Sequence, residues 1–259
     1  MPEEHEHSRG LYVGYLSLPR RHAAFLRVAV PLTLVFLVSV GVVIAGRSKP
    51  AGDAVWDAQA REWTGLLRLE PYPALYTRPD PDGVSAWLLC EIAKSGAHER
   101  LAGFDGRHVT LSGYRLHRDG RAIIELEPDD PATDADEAVR ILDHLPAPPP
   151  APVQRDLGRV ELDGEIVDGK CYLGAMRPGN GQAHKACATL CLRGGLPPML
   201  VTRATDGSAR MLLLLIDGEA AVPEDLLPLV AEPVRVTGLL RTYGQLEVLE
   251  TTPDALRRR

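Results

Sequence analysis

Between Cys171 and Cys191 the chain gathers three of its four cysteines and one of its eight histidines. His184, Cys187 and Cys191 stand at i, i+3 and i+7, which on a helix puts all three on one face. Cys171 lies upstream, across the loop Leu173-Gly-Ala-Met-Arg-Pro-Gly-Asn-Gly, which is long enough to fold it back over that face. Three thiolates and an imidazole are a sufficient ligand set for a tetrahedral metal site. The expected metal ligands are therefore Cys171, His184, Cys187 and Cys191, with Asp168, Lys170 and Met176 close enough to tune or complete the site. Thiolates suit zinc, cuprous copper or iron–sulfur clusters, and imidazole suits most of the same metals. The spacing is neither a C-x-x-C finger, nor the C-x-x-C-H of attached haem, nor a Rieske pair, so the identity of the metal ion or cluster stays open.

Two other readings use the same residues. Thiols outside the cytoplasm tend to be oxidised, so Cys171 could bridge Cys187 or Cys191 and staple a non-catalytic scaffold or assembly module. A bridge between Cys187 and Cys191, one turn apart, is sterically less comfortable. Any single disulfide leaves one of the three thiols over. A thiol oxidoreductase would instead work through Cys187 or Cys191, with the helix start or His184 depressing the thiol pKa. Cys90, inside the apolar run A-W-L-L-C-E-I, reads as a buried small hydrophobe. His98, His108, His117 and His144 are scattered, and His5 and His7 sit in the polar N-terminal segment. No Ser-His-Asp order, phosphate-cradling Gly loop or H-E-x-x-H occurs, so no catalytic residue is assigned.

The elements that must position these groups can be read from periodicity. Gln182 to Leu192 predicts a short helix, stopped by Gly194-Gly195 and kept from continuing by Pro197-Pro198. Cys171 closes a strand-like run from Glu165 to Lys170. Further strands are expected at Trp63–Leu69, Ala86–Ile92, His108–Leu116 and Arg121–Glu127, with His117-Arg-Asp-Gly as a hairpin turn. The same texture returns at Val160–Val167, Met199–Arg203, Arg210–Ile216, Val234–Leu240 and Gln245–Glu250. Thr64-Gly65 matches Asp163-Gly164, and Ser112-Gly113 matches Thr237-Gly238, as in a duplicated unit whose second copy carries the Lys170–Gly195 segment as an insertion. Helical connections are expected at Lys94–Phe104 and Glu224–Val230. The fold class is mainly β: one N-terminal transmembrane helix, then two small OB-like barrels, with a β-sandwich as the alternative. The expected boundaries are a cytoplasmic segment over 1–21, the transmembrane helix over 22–47 and a first OB-like domain over 59–128. An acidic and Pro-rich linker over 129–156 follows, then a second OB-like domain over 157–252 with its Cys/His insertion at 168–198. Pro146 to Pro152, P-A-P-P-P-A-P, reads as a stiff spacer between the domains.

Val28 to Gly46 is an uncharged run sufficient for a membrane span, with Pro31 in its first turn. A cleavable signal peptide would have a shorter leader and a shorter apolar region. Arg9, Arg20, Arg21 and Arg27 precede the run, while Arg47, Lys49 and Arg61 follow it, so the positive-inside rule leans to a cytoplasmic N-terminus and extracytoplasmic barrels. The net charge of −6 argues against nucleic acid as a partner. The expected location is a bacterial cell membrane, single-pass, and the expected role is an accessory or electron-transfer subunit of a membrane redox system, with a protein partner in a membrane redox or assembly complex.

The run I-V-D-G-K-C-Y-L-G, continuing as H-K-A-C-A-T-L-C and G-G-L-P-P, resembles a motif of uncharacterised bacterial membrane-anchored envelope proteins, I-V-D-x-K-C-[YF]-x-G with H-x-x-C-A-x-x-C. The resemblance covers about Glu165 to Val201. It implies that Cys171, His184, Cys187 and Cys191 are the shared residues, and it implies no activity. In architecture alone, an anchored barrel is similar to the periplasmic haem chaperones of cytochrome c maturation, whose C-terminal haem-linking histidine pattern this chain lacks.

Overall fold

The computed structural model describes residues 20–47, 54–128, 138–143, 145, 148–203 and 208–259. The N-terminal segment with His5 and His7, the acidic stretch 129–136 and His144 lie outside the described residues. Two units are formed, Met1–Pro50 and Ala51–Arg259. In the first, α1 (Arg20–Arg47) is one continuous helix of 28 residues, long and apolar enough to cross a membrane. It starts upstream of Val28, so Pro31 lies in its interior rather than its first turn.

The second unit holds two closed five-stranded barrels. The first is built from β1 (Val55–Trp56), β2 (Arg61–Arg68), β3 (Ala74–Tyr76), β4 (Ala86–Cys90), the short helix α2 (His98–Leu101), β5 (His108–Arg118), β6 (Arg121–Leu126) and β7 (Val139–Ile141). Strands β5-β2-β3-β4-β6 form the ring, and β6 closes back on β5. All ring pairs are antiparallel except β4 with β6. The second barrel comprises β8 (Gln154–Asp168), α3 (Lys185–Arg193), β9 (Pro198–Arg203), β10 (Ala209–Ile216), β11 (Pro233–Tyr243), β12 (Leu246–Thr251) and β13 (Leu256–Arg258). Its ring, β11-β8-β9-β10-β12 closing on β11, repeats the first, again with one parallel pair, β10 with β12. A meander, a helical connection and a closing hairpin in this order are the OB arrangement, and the closure excludes a sandwich.

The repeated glycines have a structural cause. A Cβ on Gly113 would strike the Glu125 carbonyl oxygen, and one on Gly238 would strike that of Glu250. Each therefore lets the long fourth strand of its ring bend against the fifth. The β5–β6 hairpin turns at Asp119-Gly120, both at positive φ, as a tight two-residue loop requires.

Three expectations change. Glu224–Val230 is not a helix but a single 3-10 turn at Leu227–Leu229, because Pro228 has no N–H to donate back to the preceding turn. β7 and the start of β8 lie within the stretch expected to be a linker. The proline run is not a free spacer: Pro149 is buried beside Trp63 and Trp87, and the Gly244 N–H donates to the Val153 carbonyl at 3.1 Å. One apolar cluster joins the barrels, with Tyr72, Tyr76, Leu88 and Ile123 from the first against Val167, Leu173, Met199 and Leu213 from the second. Glu247 extends the joint, taking hydrogen bonds from Arg121 across the boundary and from Arg210 on its own side.

Candidate metal centre

The site occupies the connection between β8 and β9, the first loop of the second ring. The corresponding connection in the first ring, from Leu69 to Pro73, is a few residues long. Strand β8 ends at Asp168, and a wide helical turn over Cys171–Ala175 follows directly. The chain then reaches a 3-10 turn, Gln182–His184, that feeds into α3. Helix α3 buries Ala188, Cys191 and Leu192, is held at its start by Lys185 on Glu232, and at its end by the Arg193–Glu224 fork. Gly195, at φ 85°, terminates it, as the sequence predicts.

This wiring brings the Cys171, Cys187 and Cys191 sulfurs within 4.8 Å of one another, a group that could hold a metal ion. Cys171 Sγ and Cys191 Sγ lie 3.8 Å apart. Cys171 and Cys191 are buried, whereas Cys187 is half-buried at the edge. His184 belongs to a second group, with Asp168 and Cys171. Its Nε2 lies 3.0 Å from Asp168 Oδ2, while Asp168 Oδ1 accepts the Cys171 N–H at 2.8 Å. His184 and Asp168 are both buried. Gln182 to Leu192, expected as one α-helix, is not uniform. Its first turn is instead 3-10, which winds more tightly and rotates His184 off the line of Cys187 and Cys191, towards Asp168. Asp168 thus fixes the imidazole and the backbone of Cys171 together, the type of support that orients metal ligands.

The other wall comes from the first barrel. Lys94 Nζ donates to Cys187 Sγ at 2.8 Å and reaches Cys191 Sγ at 3.6 Å. That hydrogen bond to Cys187 raises the Lys94 pKa well above its usual value, with burial opposing. Lys170 is buried in an ion pair with Glu125 and donates to the carbonyls of Glu91 and Ala93 at 2.8 Å each. It thereby ties the insertion to the loop that carries Lys94. A Cβ on Gly194 would overlap the Lys94 carbonyl oxygen, so only glycine lets the end of α3 approach that loop. The Gly96 N–H donates to the Gly194 carbonyl at 2.8 Å, and Tyr72 Oη donates to that of Gly195 at 2.9 Å. Arg118 closes the far side, its guanidinium 4.4 Å from the Tyr172 ring centre.

Among the thiols, the hydrogen bond from Cys171 brings Cys191 down to about 7; burial and Asp168 oppose this and Lys94 assists. Cys171 is pushed far up by the same shared bond, with burial and Asp168 adding to the effect. Cys90 is fully buried in the joint core, and burial raises its pKa strongly, so it stays a thiol. Lys94 carries no sequence signal: E-I-A-K-S-G is an ordinary loop, and only the packing of the two barrels brings it to the sulfurs. Met176 lies at the mouth of a cleft of about 710 Å³ that opens onto all three cysteines.

No protein-family model, curated protein or solved structure matches the chain.

Proposed function

We propose that this chain is a membrane-anchored metal-binding protein whose three thiolates hold one soft ion, with both barrels on the extracytoplasmic side. The observation that carries the reading is the convergence of the Cys171, Cys187 and Cys191 sulfurs. Their spacing favours a single ion over a cluster. A tetrahedral ion with bonds of about 2.3 Å has sulfur–sulfur edges of about 3.8 Å, which is the Cys171–Cys191 separation. A four-iron cluster binds each cysteine through a different iron, and a two-iron cluster seats only two on one iron. Either would hold at least one of the three sulfurs further off than the 4.8 Å within which all three lie here. Three thiolates around a divalent ion leave one net negative charge, which the Lys94 ammonium offsets. Zinc fits this balance and has no redox couple of its own. The role that follows is accessory or structural within a membrane complex, rather than electron transfer.

A second reading has its own support. Thiols 3.8 Å apart, one of them ionised near neutrality, also suit a dithiol that cycles with a Cys171–Cys191 disulfide. Elemental analysis of the full chain, purified in detergent from its native membrane, separates the two when combined with thiol counting. The metal reading expects one ion per chain and four alkylatable cysteines after denaturation with a chelator. A metal-free protein with a mapped Cys171–Cys191 bridge would replace it with the second.

A further inference from the structure

The position above the sulfur triangle is not closed by His184, which groups with Asp168 and Cys171 and not with Cys187 and Cys191. Instead Cys171, Cys187 and Cys191 all face the cleft of about 710 Å³ between the barrels. That volume lies in the range of small-molecule sites. Its walls are mostly apolar, with Trp56, Ile92, Ala175 and Met176 among them. Trp56, Ile92 and Met176 are exposed, so the cleft is rimmed by large apolar side chains that nothing in the chain covers among the described residues. Its charged groups are already matched: Lys170 is paired with Glu125, Asp57 with Arg61, and Lys94 lies on the thiols. A divalent ion with three thiolates and Lys94 is neutral as a set. An anionic fourth ligand would leave uncompensated charge against apolar walls, whereas a neutral donor would not.

We infer that the cleft is a binding site for an apolar small molecule that completes the metal's coordination through one neutral donor atom, such as an azole-type nitrogen. This rests on the single-ion reading above. The metal fixes the donor end, and Trp56 and Ile92 cover the apolar body. Met176, whose thioether is a weak soft donor, stands where the ligand enters.

Cobalt(II) in place of the native ion makes the site visible, because its d–d bands and thiolate charge-transfer bands report the ligand set. The full chain in detergent, loaded with cobalt, is titrated with imidazole and with 4-phenylimidazole, which share a donor and differ in apolar body. Both should shift the d–d bands, and 4-phenylimidazole should bind at least about tenfold tighter, from burial of its ring. Ile92→Ala and Trp56→Ala should each weaken 4-phenylimidazole several-fold and leave imidazole and the starting spectrum unchanged. An unchanged starting spectrum also shows that the variants fold, and detergent partitioning cancels between variants. A thiolate–cobalt spectrum that neither azole moves means that the fourth position is filled from within, and it overturns the inference while leaving the metal site intact. Equal affinity for the two azoles, insensitive to both substitutions, refutes the cleft as a recognition surface. Absence of any thiolate–cobalt bands removes the metal site, and the ligand site with it.

Discussion

Replacing Lys170 with methionine tests how the two barrels hold the site. The ammonium is buried, paired with buried Glu125, and hydrogen-bonded to the Glu91 and Ala93 carbonyls. Methionine keeps the length and apolar volume of the side chain but leaves the Glu125 carboxylate and both carbonyls without this partner. Removing one member of a buried pair costs about 3–5 kcal/mol. For a unit of this size, that is a fall in melting temperature of roughly 10 °C. Lys170→Met/Glu125→Leu removes both charges and should recover most of the loss, because the penalty comes from the orphaned charge and not from the pair itself. The assay is thermal unfolding of both variants followed by tryptophan fluorescence, Trp63 and Trp87 being in contact in the first barrel. A single variant within about 0.5 kcal/mol of the parent, the range of a surface substitution, would refute the reasoning. So would a double variant no better than the single.

Asp168→Asn weakens the support of both His184 and the Cys171 backbone, and metal affinity measured by competition with a chromophoric chelator should fall about 10–100-fold. In the metal-free chain, alkylation of Cys191 should follow a thiolate titrating near 7, and Lys94→Ala should move that midpoint up; a midpoint at the ordinary thiol value in the parent contradicts the assigned hydrogen bonds. Leu173, fully buried in the joint core, becomes a cavity on substitution by alanine, at a cost of about 2–5 kcal/mol in denaturant unfolding. Burial opposes ionisation of Glu247, yet its bonds to Arg210 and Arg121 hold it below the usual glutamate range. Its contribution is therefore complete above the unfolded glutamate pKa and fades as pH falls through the lower folded value. Melting curves of Glu247→Gln against the parent should converge at that acidic end and separate above it.

The barrels were legible because each long strand is an apolar or alternating run bounded by a turn signal, and because paired glycines mark equivalent bends. β3 was not legible: three residues beside Pro73 are too short for a period to show. β7 and β13 are likewise three residues long, and they pair only at the edges of β5 and β11. Glu224–Val230, expected as a helix from its place before the closing hairpin, is a single 3-10 turn, because position in the fold does not override Pro228. At the site, the cysteines announced themselves through type and spacing. The roles of Lys170 and Lys94 depend on partners far along the chain. Lys170 meets Glu125, and Lys94 meets Cys187, only because the barrels share one core. No local pattern encodes such a junction.

X-ray absorption at the edge of the metal bound to the purified full chain tests the account most directly. One ion per chain, bonded to three sulfurs at about 2.3 Å and one lighter atom, with no metal–metal scattering, is the expected spectrum. A shell without sulfur, or a metal–metal vector, would contradict a single ion held by Cys171, Cys187 and Cys191.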